Sequence, residues 1–202
     1  RFGGIVGEIG SSTVVMTNSR KIYSYAVNPE LANYPEYSEY YIPNSVSGSY
    51  SIGGLIGSIY ADSKIRLVNN YVTGKLNASN NGVGAAVGVI DFADVYIGQF
   101  YAESDNYANS YAGGILGGTD GDVRIENSYH IGKVSSNISN FDGAGNVRGV
   151  VVGGIVGVNE SYANIHLVNS YHMGDVTAVN DYRSIDGVIG VNHSDEVHID
   201  NV

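Results

Sequence analysis

One pattern recurs six times along the 202-residue chain, and whatever the chain folds into must house it repeatedly. A glycine-flanked aliphatic opening stands as FGGIVG at 2–7, IGGLIG at 52–57, VGAAVG at 83–88, AGGILG at 112–117, VGGIVG at 152–157 and IDGVIG at 185–190. Successive openings start 50, 31, 29, 40 and 33 residues apart, which reads as a coil of about 30 residues carrying loop insertions. A second segment follows each opening in phase: VVMTN at 14–18, IRLVNNY at 65–71, VYIGQFY at 95–101, VRIENSY at 123–129, IHLVNSY at 165–171 and VHIDN at 197–201. Strand alternation within Ile65–Tyr71 predicts Ile65, Leu67, Asn69 and Tyr71 on an inward face, with Arg66 and Asn70 outward.

The fifth position of the second segment is an amide in every unit: Asn18, Asn69, Gln99, Asn127, Asn169 and Asn201. Coils stacked ~4.8 Å apart would let each amide donate to the next, a ladder that satisfies groups whose isolated burial costs roughly 1–3 kcal/mol. Arg20, Tyr71, Tyr101, Tyr129 and Tyr171 come two residues later, so aromatic rings should stack as well. Gly74, Gly132 and Gly174, with Ser104 in the third unit, mark a further turn.

The expected fold is therefore all-β, a parallel β-helix (β-solenoid) of about six coils, right-handed, forming a single domain over residues 1–202. A β-propeller needs about 40 or more residues per blade, more than the shorter units supply. Composition agrees, with 28 glycines against 3 prolines and 43% hydrophobic residues, suited to many short strands and tight turns. The chain begins and stops within a repeat, so it reads as a segment of a longer protein. A net charge of −10 argues against nucleic acid or an anionic membrane as partner, since both require a basic face. No cysteine is present, and no apolar run approaches the ~20 residues that cross a bilayer.

The VGGIVG and IHLVNSYHMGDV of residues 152–176 resemble the Glug motif repeats of bacterial surface adhesin-like proteins and of non-catalytic regions in some immunoglobulin A peptidase-like proteins. AGGILG with VRIENSYHIGKV, and IGGLIG with IRLVNNYVTGKL, carry the same resemblance. The first unit departs after Asn18-Ser19, the third has Gly84-Ala85-Ala86, and the sixth has Asp186 for the first glycine. The resemblance implies an extracellular structural or adhesive module, secreted or on a bacterial cell surface. It carries over no catalytic residue, and the His-Glu-x-x-His of the metallopeptidases does not occur.

The largest departure from the repeat is a Tyr-rich insertion at about 23–50, with Tyr23, Tyr25, Tyr34, Tyr37, Tyr40, Tyr41 and Tyr50. Tyr34, Tyr37, Tyr40 and Tyr41 are the candidate contacts to a host-surface protein or glycan, or to neighbouring copies in a filament. The competing reading is a loop that packs its own aromatics against the solenoid. A second insertion, including Asp142 to Arg148, precedes the fifth unit.

Other chemistry is weaker. The pairs His130/His172 and His166/His198 sit at equivalent repeat positions, but no third or fourth ligand recurs with them, so no metal site is assigned. Gly117–Val123 is similar to a calcium-binding glycine-aspartate turn but occurs once, which favours an ordinary polar turn. Asp91/Asp94 and Glu103/Asp105 raise a polysaccharide-active β-helix enzyme as an alternative, with solvated acids the simpler reading. Neither a Gly-x-Ser-x-Gly elbow nor a nucleotide loop is present, so the chain is read as non-enzymatic, without a cofactor. The sequons at Asn77, Asn137, Asn159 and Asn192 are uninformative.

Overall fold

A computed structural model describes residues 2–22, 45–48, 51–79, 82–136, 140–141, 147–148, 150–160, 163–178 and 183–202. It is all-β, and each repeat unit forms one coil of a parallel solenoid. Sheet A stacks the strands Phe2–Gly3, Ile52–Gly53, Val83–Gly84, Tyr111–Gly113, Val150–Gly153 and Arg183–Asp186. Sheet B stacks Val6–Gly10, Ile56–Tyr60, Val87–Ile90, Leu116–Thr119, Val156–Asn159 and Ile189–Asn192. Sheet C stacks Thr13–Thr17, Lys64–Val68, Asp94–Gly98, Val123–Glu126, Ile165–Val168 and Val197–Asp200. Sheet D begins with Arg20–Ile22 and Ser45–Gly48, continues through Tyr71–Ala78 and Tyr101–Ala108, and ends with split strands in coils four and five.

The register matches the alignment of the repeats: Val14, Ile65, Val95, Val123, Ile165 and Val197 lie side by side. Alternation then sends Ile65 and Leu67, and their counterparts Ile97, Ile125 and Leu167, into a continuous core with Ile52, Leu55, Ile56 and Ile59. Burial is nearly complete in the middle coils, whereas the sixth leaves Ile185 and Ile199 exposed.

The corners explain the recurring residue types. Between sheets A and B the chain turns so tightly that a Cβ on Gly53 would lie 1.7 Å from the Ile56 carbonyl oxygen. In the sixth coil Asp186 stands at that position, and its carboxylate accepts from the Val188 N–H at 2.9 Å, capping the turn. At the end of its sheet C strand every coil passes through the left-handed region at the repeated amide, with φ between 47° and 55° from Asn18 to Asn201. At the third repeated position Gly74, Gly132 and Gly174 have φ 112°, 132° and 146°; the strand breaks at Gly132 and Gly174 but runs unbroken through Gly74 and Ser104.

The left-handed corner corrects one expectation. Asn69 and Tyr71 do not share the inward face of Ile65 and Leu67: Asn69 is exposed, Tyr71 is half-buried, and Asn70 is the buried residue. Alternation holds only while the backbone stays extended, and one residue at positive φ swaps the faces that follow.

The first insertion leaves after Ile22 and returns at Ser45 to the same sheet, pairing Ser45–Gly48 with Lys75–Ala78 as Arg20–Ile22 pairs with Tyr71–Thr73. Tyr34, Tyr37, Tyr40 and Tyr41 lie outside the described residues. In the second insertion Asn140–Phe141 and Val147–Arg148 pair antiparallel.

Candidate functional site

The residues that recur in phase are engaged between coils. Asn69 donates through Nδ2 to Asn18 Oδ1 at 2.6 Å, Asn169 to Asn127 at 3.2 Å and Asn201 to Asn169 at 3.1 Å. Gln99 separates these two runs; its side chain is one methylene longer, and among the described residues neither Asn69 nor Asn127 bonds to it. Tyr101 and Tyr129 approach with ring centroids 4.7 Å apart, Tyr129 and Tyr171 stack at 5.3 Å, and the Arg20 guanidinium caps Tyr71 at 6.0 Å.

A second polar stack runs inside the same corner. Ser19 donates its N–H to Asn70 Oδ1 at 2.9 Å, Phe100 to Ser128 Oγ at 3.1 Å, and Ser128 to Ser170 Oγ at 3.3 Å. Its sequence signal is the residue following each amide, Ser or Asn in four units, which simple strand alternation places outward.

Inside sheet D, the buried Ser104, Asn106 and His130 and the half-buried His172 form a chain. Ser104 Oγ donates to Asn106 Oδ1 at 2.9 Å, and Asn106 Nδ2 donates to the carbonyls of Gly113 and Gly114. The serine proton being used, His130 Nε2–H must donate to Ser104 Oγ across 3.1 Å. His130 Nδ1 is then an acceptor and receives the His172 Nδ1–H at 2.9 Å, leaving His172 Nε2 a buried acceptor without a partner among the described residues. Both rings are neutral: burial and the neighbouring His172 lower His130 from 6.5 to about 3, and burial lowers His172. A serine beside a histidine invites a nucleophile reading, but His130 is 0% exposed and donates to the serine rather than deprotonating it. The pair is a packing element.

The repeat stops repeating on the outward face of sheet C. In register across the coils stand Val15, Arg66, Tyr96, Arg124, His166 and His198. The parallel column two residues earlier carries Thr13, Lys64, Asp94, Asp122, Asn164 and Glu196. Between them lies an open groove of about 570 Å³ along the solenoid axis, within the size range of ligand sites.

Its side chains are held in place. The Arg66 guanidinium lies 4.3 Å over the Tyr96 ring, the Tyr96 hydroxyl donates to Glu126 Oε2 at 2.9 Å, and Arg124 pairs with the other Glu126 oxygen. Partial burial raises Glu126, but the bonds from Tyr96 and Arg124 prevail and hold it below the usual carboxylate range; burial and that same bond raise Tyr96. Asp122 is braced by Asn164, whose Nδ2 donates at 2.8 Å.

Of the acid pairs named from sequence, Asp94 enters the groove, while Glu103 and Asp105 lie exposed on sheet D, where Asp105 accepts the Lys133 N–H. At the Gly117–Val123 turn Thr119 exchanges hydrogen bonds with Gly121, and among the described residues no three His, Asp or Glu converge on one point. His166 and His198 stand on the outer face with ring centroids 5.6 Å apart. Asn159 is buried and donates to Asn192, so that sequon offers no acceptor for a glycan. Arg66, Tyr96 and Arg124 were legible only as residues at the outward positions of the second segment, with no residue type common to all three to mark them. No family model, curated protein or solved structure matches the chain.

Proposed function

We propose that this chain is a non-catalytic, extracellular repeat module of a bacterial surface or secreted protein, a stiff solenoid that presents a binding groove along sheet C. One observation carries the reading: the recurring Asn, Tyr and His side chains bond coil to coil, whereas the varied outward column of Arg66, Tyr96 and Arg124 is interlocked yet faces solvent. Repetition with a varied face is what a scaffold bearing a binding surface requires. The Glug-like units support the same reading. The filament alternative draws on the terminal coils, whose strands pair on one side only in the described structure.

Binding to glycan and host-protein arrays tests it, using the intact chain, a version lacking residues 23–50, and an Arg66→Ala/Tyr96→Ala/Arg124→Ala variant. Loss of binding in the groove variant alone is the expected result. Loss only on deleting 23–50 would transfer the site to the Tyr-rich insertion, and release of reducing ends from a bound polysaccharide would make the protein an enzyme.

A further inference from the structure

The two walls of the sheet C groove differ in hydrogen-bonding sense. Arg66, Arg124 and His166 offer N–H donors along one wall, and the other is net acidic, with the carboxylate acceptors of Asp94, Asp122 and Glu196 beside the single Lys64 ammonium. A polyanion would be drawn to the first wall and repelled by the second, and a polycation the reverse. A hydroxyl suits both, because it donates and accepts.

The floor is the sheet around Ile65, Val95 and Val123, whose N–H and C=O groups are already paired between coils. It therefore offers contact without hydrogen bonding, beside Val15 and the aliphatic stems of the arginines. A pyranose ring matches that cross-section, with C–H faces for the floor and hydroxyl edges for the walls. Coils repeat every ~4.8 Å, close to the length of one sugar residue in an extended chain, so successive residues would meet successive rungs. The bonds joining Tyr96, Glu126 and Arg124, and the stacking of Arg66 on Tyr96, fix the donor wall in advance, reducing the side-chain freedom lost on binding. An extended peptide is recognised best at an open sheet edge, and this groove lies on a sheet face.

We infer that the groove holds a strand of uncharged polysaccharide lying along the solenoid axis, an inference that rests on reading this groove as the binding face. Affinity electrophoresis of the 202-residue chain tests it, in gels containing hydroxyethylcellulose, galactomannan or dextran, with polygalacturonate and polyglutamate as charged comparators. At least one neutral polymer should retard the protein. Arg66→Ala/Arg124→Ala and Asp94→Ala/Glu196→Ala should each weaken that retardation about tenfold, the worth of one or two lost hydrogen bonds. All four side chains are exposed, so both variants should keep the wild-type circular dichroism spectrum. Retardation by a charged polymer alone, abolished in the arginine variant, would overturn the ligand class and leave the groove as the binding face. Neutral-polymer retardation that survives in both variants would overturn the groove itself. No retardation by any polymer would overturn the inference.

Discussion

At Asn127 the backbone has φ 47° and the side-chain carbonyl accepts from Asn169 at 3.2 Å, so one residue meets a conformational demand and a stacking demand together. Asparagine tolerates the left-handed region better than most residues, which accounts for its recurrence here as much as the ladder does. The two contributions can be separated. Asn127→Gly keeps the corner and loses the hydrogen bond, whereas Asn127→Ala loses both. Urea denaturation should show the alanine variant destabilised by about 1–2 kcal/mol and the glycine variant by less. Equal losses would show that the corner conformation contributes nothing.

Within a coil, the second opening glycine is matched to the residue it faces across the interior. A Cβ on Gly54, Gly114 or Gly154 would first meet a backbone carbonyl of the next coil, that of Ala85 at 2.2 Å, Gly154 at 2.1 Å or Gly187 at 2.0 Å, and beyond it the side chain of Val72, the His130 ring at 2.8 Å or His172 at 2.9 Å. In the third coil both partners change: Ala85 replaces the glycine, and Ala102 stands in register with Val72 and His130. On the side-chain side of this contact, the departure from the Gly-Gly pattern is a size exchange. Gly114→Ala should cost about 1–3 kcal/mol, and His130→Ala in the same chain should recover only the part due to the ring, the approach to the Gly154 carbonyl remaining. Denaturant midpoints of the single and double variants measure the coupling, and strict additivity would refute the exchange.

The same histidine makes the stack acid-sensitive. His130 titrates near 3 when folded and near 6.5 when not, so between those values the unfolded chain binds the extra proton. Stability should therefore be undiminished by this group above pH 6.5 and fall on acidification towards pH 3, by up to about 1.4 kcal/mol per pH unit, with His172 adding in the same direction. His130→Val, which copies Val72 of the second coil, should flatten the dependence between pH 7 and 4 in urea titrations. Parallel curves for the two proteins would rule out His130 as the source.

Over the whole molecule, each coil pairs its strands only with its neighbours, so stability is a sum of coil and interface contributions, and among the described residues the first and sixth coils are paired on one side only. The exposed Ile185 and Ile199 of the sixth coil, beside the fully buried Ile125 and Leu167 of the coils before it, show that gradient. Coil number, parallel stacking and register were legible in the sequence because a repeat imposes one local solution at every rung, and the in-phase spacing of glycine, amide and tyrosine leaves little freedom in how rungs align. The inward histidine chain was visible only as a repeated residue, since its burial depends on the left-handed corner reversing the faces after Asn127 and Asn169.

What the sequence determined alone was therefore the solenoid: period, alternation and corner residues are local properties, and stacking identical units converts them directly into a fold. What only the tertiary structure decided was which side chains face solvent together. Arg66, Tyr96 and Arg124 follow one another at intervals of about 30 residues in sequence, and the tyrosine between the two arginines breaks any run of one chemical type, so no local pattern joins them. They meet because each advance of one coil returns the chain to the same face one strand higher, and the groove exists only after that return.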